Sequence, residues 1–212
     1  DLMKKAERLK MPAVAMTDHG NIFGAIDFYQ AGKASGIKPI IGCEAYLTPP
    51  GVSMHDKKAE PVAIAGGGKQ KKKRNSHITL LAENNKGYAN LMKLVSKGHL
   101  EGMYYKRIGE FTDIFGKDNF YLEVHDHGME EQRICTAQMM EFSKEFGLDL
   151  VAANDVHFLN QKDHDAHDIM ICIGTGSLLF DENRMRYSPE VYMKTTAEMT
   201  RLFKDVPGAV RN

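Results

Sequence analysis

Charge of neither sign predominates in this chain. Lys plus Arg and Asp plus Glu number 28 each, so no global field draws it to nucleic acid or to a membrane surface. Contact with nucleic acid would have to be local or supplied by another domain. Cysteine is scarce: Cys43, Cys135 and Cys172 make an odd count with no CxxC spacing. That argues against a disulfide framework and for a reducing compartment. No run approaches the ~18 apolar residues of a membrane helix, and no signal-peptide pattern opens the chain. The expected location is cytoplasmic, with no membrane partner. A P-loop, a GxGxxG and a GxSxG are all missing.

What the chain has is a set of carboxylates and histidines at the ends of short apolar runs. Ala13–Met16 leads into Thr17-Asp18-His19-Gly20, and Pro39–Cys43 ends in Glu44. Asn75-Ser76-His77 opens Ile78–Ala82, and Leu150–Ala153 ends in Asn154-Asp155-Val156-His157. Short, fully apolar runs separated by helical segments read as buried parallel strands. Groups at their tips would converge at one end of a sheet or barrel, where α/β proteins keep their sites.

The pattern between these runs is helical. Leu2, Met3, Ala6 and Leu9 make residues 1–10 an amphipathic helix. Asn21 is placed to cap a second helix with an Ile22, Ile26 and Tyr29 stripe, closed by Gly36. Strands are expected at Lys38–Leu47, Ile78–Ala82, Phe120–Val124 and Leu150–Ala153. Helices are expected around Tyr88–Val95, over Glu130–Phe146 with Gly147 as C-cap, at Asp163–Ile173 and at Thr196–Phe203. Alternation of this kind is the βαβ signature.

Two segments break the alternation. Residues 48–76, with Pro49-Pro50-Gly51, Gly66-Gly67-Gly68 and the basic run Lys69–Arg74, read as an exposed loop. Basic side chains there would suit phosphate, but no aromatic residues are interleaved for base stacking, so a solvated loop is the preferred reading. Between Tyr105 and Asn119 there is no apolar strand and too little room for a full helix, although a parallel crossover needs a dozen or more residues.

Five residues form the candidate site. Asp155 and His157, two apart in extended backbone, share one face and can chelate together. His19 adds an imidazole, Glu44 a carboxylate able to bridge two ions, and His77 a third imidazole. This N/O set suits Zn, Mn or Fe. Two cations ~3.5–4 Å apart would activate water and hold a phosphate ester for in-line attack. Taken singly, each residue is as well read as an ordinary hydrogen-bonding group. His125-Asp126-His127 competes by its HxH spacing, or caps and orients the following helix. His164 and His167, beside Asp163, Asp165 and Asp168, read as a polar helix face. His55 and His99 have no partner at ligand spacing.

Met11–Asn21, Gly36–Glu44, Asn75–Ala82, Asn90–Ser96, Tyr121-Leu122-Glu123 with Asp126-His127-Gly128, Ala153–Leu159, His167–Cys172 and Arg184–Tyr187 together resemble the PHP (polymerase and histidinol phosphatase) domains of bacterial replicative DNA polymerase III alpha subunits. The resemblance covers nearly the whole chain. It implies a distorted (βα)7 PHP-type barrel holding up to three divalent metal ions (Zn, Mn, Fe or Mg). It also implies that His19, Glu44, His77, Asp155 and His157 are metal ligands, and that Asp126-His127-Gly128 supplies none. Residues 1–176 would be the PHP domain, and 177–212 the start of the connection to the polymerase region.

The chain departs from the family pattern in two places. The family opens with a strand bearing His-x-His and, soon after, an acidic ligand, and this chain begins beyond them. A strand with a Cys ligand is also missing at the Tyr105–Asn119 seam. The barrel is therefore expected to be incomplete, with four of nine ligands gone and fewer than three metals held. Either the chain joins segments of a larger protein, or it is a truncated and internally deleted form. The first is preferred, because a barrel lacking two strands would expose unpaired edges.

The resemblance implies a parent that is a DNA-directed DNA polymerase, a nucleotidyltransferase of DNA replication. Its PHP domain would carry a metal-dependent phosphoesterase site of the 3′–5′ exonuclease type. The implied partners are DNA, a proofreading subunit and a sliding clamp. Two alternatives are a non-catalytic platform docking the proofreading subunit, and a free-standing PHP phosphatase acting on small esters. The second fits less well because the motifs are polymerase-type.

Overall fold

The computed structural model describes residues 1–47, 76–101 and 108–212. Of the loop expected over residues 48–76, all but Ser76 lies outside the described residues, His55 and the basic run included, and Ser76 instead opens a strand. The chain divides into two compact units, Asp1–Ile108 and Gly109–Asn212.

The first unit opens with α1 (Leu2–Arg8), buried through Met3 and Ala6. After it come β1 (Ala13–Met16), α2 (Ala25–Ala34) and β2 (Lys38–Leu47). Strand β1 pairs parallel with β2, from Ala13 opposite Lys38 to Met16 opposite Ile41. The unit's other elements are β3 (Ser76–Leu81) and α3 (Asn85–Glu101). Strand β3 departs from the expected all-parallel arrangement. It runs antiparallel to β2, with Glu44 opposite Thr79 and Tyr46 opposite His77, giving the sheet order β1-β2-β3. An apolar run shows that a strand is buried, but strand direction leaves no mark on it.

Helix α2 begins three residues beyond its expected start. Asn21 makes a local turn instead, its side chain accepting from the Phe23 N–H and donating to the His19 carbonyl, each at 3.0 Å. The expected stripe is not the buried one: Ile26 is 61% and Tyr29 49% exposed, while Ala25 and Gly32 are buried. A Cβ on Gly32 would stand 2.9 Å from that of Pro39. Small residues thus let the helix lie close on the sheet. Gly42 is tighter still, since a Cβ there would meet the Leu80 carbonyl oxygen at 2.5 Å. Glycine at this point lets β3 pass beside β2.

The second unit contains α4 (Ile108–Phe115), β4 (Leu122–Val124), α5 (Glu130–Phe146), β5 (Leu150–Ala152), α6 (His164–Thr175) and α7 (Thr196–Leu202). Helix α4 corrects the expectation at the compressed seam, where two helical turns fit after all. Strands β4 and β5 pair parallel across α5, as the βαβ reading expects. Helix α5 ends at Gly147 in the left-handed conformation, with φ 60°. That conformation costs glycine little.

The core of this unit is Val124, Phe203 and Ala209, surrounded by Met139, Leu150, Ala152, Met199, Val206 and Val210. Burying a side chain such as Val124 contributes about 1.5–3 kcal/mol. Helix α7 is held by a capping box. Thr195 Oγ1 accepts from the Glu198 N–H at 3.2 Å, and Glu198 Oε2 accepts from the Thr195 N–H at 2.7 Å. These bonds and Tyr192 hold the Glu198 carboxyl down at about 2. Burial, with Glu198 beside it, pushes the Tyr192 phenol up to about 12. Among the described residues the strands form one three-stranded and one two-stranded sheet and no closed barrel. None of the described helices is long and apolar enough to cross a membrane.

Candidate metal centre

In the first unit the sheet ladder brings three donors together. Beyond β1 the chain continues beside β2: the Glu44 N–H donates to the Asp18 carbonyl at 3.0 Å, and the Gly20 N–H to the Glu44 carbonyl at 2.9 Å. His19 thereby becomes the parallel neighbour of Glu44. On the other side, residues directly opposite in an antiparallel pair share a face, and i, i+2 residues of one strand share it too. Glu44 and Tyr46 therefore face the same way as Thr79 and His77. The opposite face of β2 is apolar, with Cys43 and Ala45 buried.

On the polar face His19 Nδ1 lies 3.5 Å from Glu44 Oε2, and His77 Nδ1 contacts Glu44 Oε1. One ligand atom from each of His19, Glu44 and His77 lies within 4.8 Å of the others. The Glu44 side chain is 20% exposed, and those of His19 and His77 are 43% and 39% exposed. Two imidazole nitrogens around a carboxylate, open to solvent, are a donor set that fits a divalent cation.

Two further residues adjoin the cluster: Tyr46, which no sequence motif singles out, and His99, expected to have no partner at ligand spacing. The Tyr46 ring stacks on His19 at 5.9 Å between centroids and meets His77 edge-on at 4.9 Å. Its place two residues after Glu44 in a strand was the available signal. Burial and the nearby Glu44 charge push the Tyr46 phenol up. The same ring explains Gly20, where φ is 66° and a Cβ would stand 2.9 Å from Tyr46 Cε2. His99, on α3, donates from Nε2 to the Gly20 carbonyl at 3.0 Å, so it braces the turn that carries His19. Nothing local in the sequence predicts that bond.

Asp155 and His157 belong to the second unit, where they are neighbours. His157 Nδ1 is 3.0 Å from the Asp155 carbonyl oxygen and 3.6 Å from Asp155 Oδ1. Asp155 holds a positive φ of 43°, uncommon for a residue with a side chain. The extended geometry expected of the pair is therefore interrupted at Asp155, and the chain bends at His157. His157 is packed at 4.3 Å against Tyr187 and at 5.8 Å against His167.

The competing histidines are otherwise engaged. His127 is buried, with Gln132 Nε2 against its Nδ1 at 2.9 Å and its Nε2 against the Asn154 carbonyl at 2.9 Å. Both ring nitrogens are used inside the protein, although the expected capping does not occur: α5 starts after Met129 with no capping hydrogen bond from a side chain among the described residues. Burial pushes the His127 imidazole below the usual histidine value. His125 Nε2 pairs with Glu123 at 3.1 Å. The α6 cluster is more than a polar face. Asp168 receives both Arg184 Nη atoms at 2.6 Å, and the His167 ring packs 5.2 Å from Phe158 and 5.3 Å from Tyr187. The Arg184 guanidinium holds the Asp168 carboxyl below the usual range. Burial, then His157 and His164, push the His167 imidazole down.

The PHP domain family matches residues 1–111. A DNA polymerase III subunit alpha of Borreliella burgdorferi is 38% identical over 253 residues, covering 100% of this chain and 21% of the relative. Those of Treponema pallidum and Thermus aquaticus are each 34% identical, covering 100% and 97% of this chain and 21% and 19% of the relatives. The Borreliella alignment is longer than the 212 residues of this chain, so that relative holds segments without a counterpart here. The chain spans about a fifth of the length of the curated relatives it matches. Family and relatives agree with the motifs: the chain belongs to the PHP domain family and matches the alpha subunits of DNA polymerase III.

Proposed function

We propose that this chain serves a replicative DNA polymerase as its PHP domain, with a metal-dependent phosphoesterase site of the 3′–5′ exonuclease type. The convergence of His19, Glu44 and His77 donor atoms within 4.8 Å carries the reading. His19 and His77 would offer Nδ1 to a divalent cation, and Glu44 an oxygen. Asp155 and His157 are the further ligand pair that the family implies. A bound Zn, Mn, Fe or Mg ion would supply positive charge for a phosphate ester and make water more acidic. Tyr46 would orient the two imidazoles, and His99 would hold the His19 turn in register. In this reading residues 1–176 form the barrel-type domain and 177–212 begin the connection to the polymerase region. DNA, a proofreading subunit and a sliding clamp are its partners.

A non-catalytic platform for the proofreading subunit is the second reading. The segments present in the Borreliella relative and lacking here favour it, since the family ligands that the resemblance does not find in this chain would lie in such segments. Elemental analysis of the purified chain, with a nuclease assay on single-stranded DNA, separates the two. Stoichiometric metal with cleavage that Glu44→Gln abolishes supports the catalytic role. Substoichiometric metal with no cleavage removes it and leaves the platform.

A further inference from the structure

Residues 188–194 run beside the bend that carries Asp155 and His157. The His157 N–H donates to the Val191 carbonyl at 2.9 Å, and the Met193 N–H to the Phe158 carbonyl at 3.1 Å. Between these bonds lies Asn154, the residue just before Asp155. Its side chain donates from Nδ2 to the Tyr192 carbonyl at 2.6 Å and accepts from Lys194 Nζ at 3.4 Å. Its carbonyl faces His127 Nε2, and the His127 carbonyl accepts from Ser188 Oγ at 2.9 Å.

Lys194 is unusual in this setting. Its side chain is only 2% exposed, 3.6 Å from Glu190 Oε2, and its Nζ also donates to the Glu190 carbonyl. The Nζ sits 4.3 Å from the Tyr192 ring centroid. Burying an ammonium is costly unless several partners receive it. Here the partners are Glu190, Tyr192 and Asn154, and the backbone beside them has the strained φ of Asp155. Such strain persists only where surrounding contacts over-determine it.

We propose that Lys194 is a positioning residue which, through Asn154, fixes the Asp155–His157 bend for cation binding. The proposal rests on the reading of Asp155 and His157 as ligands. Groups behind a metal ligand typically change affinity by about 10–100-fold when removed. Two measurements on the full chain separate the proposal from the reading beneath it. In metal-free protein, Lys194→Met should speed hydrogen exchange at the His157 and Met193 amides about 10-fold more than at the Leu122 amide, which lies in the β4–β5 sheet. A Zn titration followed by the 15N resonances of the His157 ring, assigned with His157→Asn, should need about 10-fold more Zn in Lys194→Met. Lys194→Arg, which keeps the cation, should recover most of that shift.

Uniform loss of protection in Lys194→Met, or an unchanged Zn midpoint, overturns the positioning role. Should the native His157 ring ignore Zn altogether, the ligand reading fails, and the amide pattern alone decides whether Lys194 holds the bend. Ser188→Ala removes one bond at the other end of the network. It should speed exchange at the same amides about threefold, which keeps the test available if Lys194→Met does not fold.

Discussion

The two units hold their histidine and carboxylate groups by different means. In the first, His19, Glu44 and His77 meet because three backbone segments lie in register. In the second, Asp155 and His157 sit on a bend held by buried side chains, with Asn154, His127 and Lys194 at its centre. Ladder hydrogen bonds are indifferent to most substitutions, so the first arrangement tolerates change everywhere but where backbones nearly touch. A buried polar network depends on every member, because a donor or acceptor left unpaired costs about 1–3 kcal/mol. The lesson is that one cluster is specified by strand pairing and the other by side-chain identity.

The largest test of this contrast removes the carboxylate proposed as a ligand. Glu44→Gln should weaken Mn or Zn binding by about 100-fold or more, read by calorimetric titration, with the circular dichroism unchanged. A loss of fold instead would mean that Glu44 holds the sheet rather than a cation. Gly42→Ala probes the ladder itself. Because a Cβ would press on the Leu80 carbonyl, it should cost about 1–3 kcal/mol in denaturant unfolding. It should also speed exchange most at the β2–β3 amides, and an unaffected sheet would break the register argument.

Acid should weaken the second unit through Glu198. Glu198 is held at about 2 in the folded chain, below its ordinary carboxyl value, so its contribution is full above about 4.5. That contribution is lost as pH falls from about 4.5 towards 2. Glu198→Gln should flatten this part of a stability-against-pH curve, and an unchanged curve would refute the assignment. The smallest effect belongs to Thr195→Ala, which removes the α7 cap and should cost about 1 kcal/mol by thermal unfolding.

Much of the fold was legible from local chemistry. Strand Lys38–Leu47, helix Glu130–Phe146 with its Gly147 cap, and the helix after Thr195 follow from periodicity and capping residues, which act within a few positions. Other features were not legible. The Ile22, Ile26 and Tyr29 stripe misled because Gly32 offers a closer approach to Pro39, and close approach is a property of two surfaces. The compressed seam hid α4 because two turns of helix need only eight residues.

By itself, the sequence determined which side chains of cation-binding type this protein carries and where most of its strands and several of its helices lie. Short-range propensities and side-chain types settle those matters. Only the tertiary structure decided that β3 runs against β2, that His77 comes to Glu44, that His127 spends both ring nitrogens internally, and that Lys194 stands behind Asn154. Each of these joins residues distant in the chain, and such pairings follow from competition among whole surfaces for burial and hydrogen bonds, which no local pattern records.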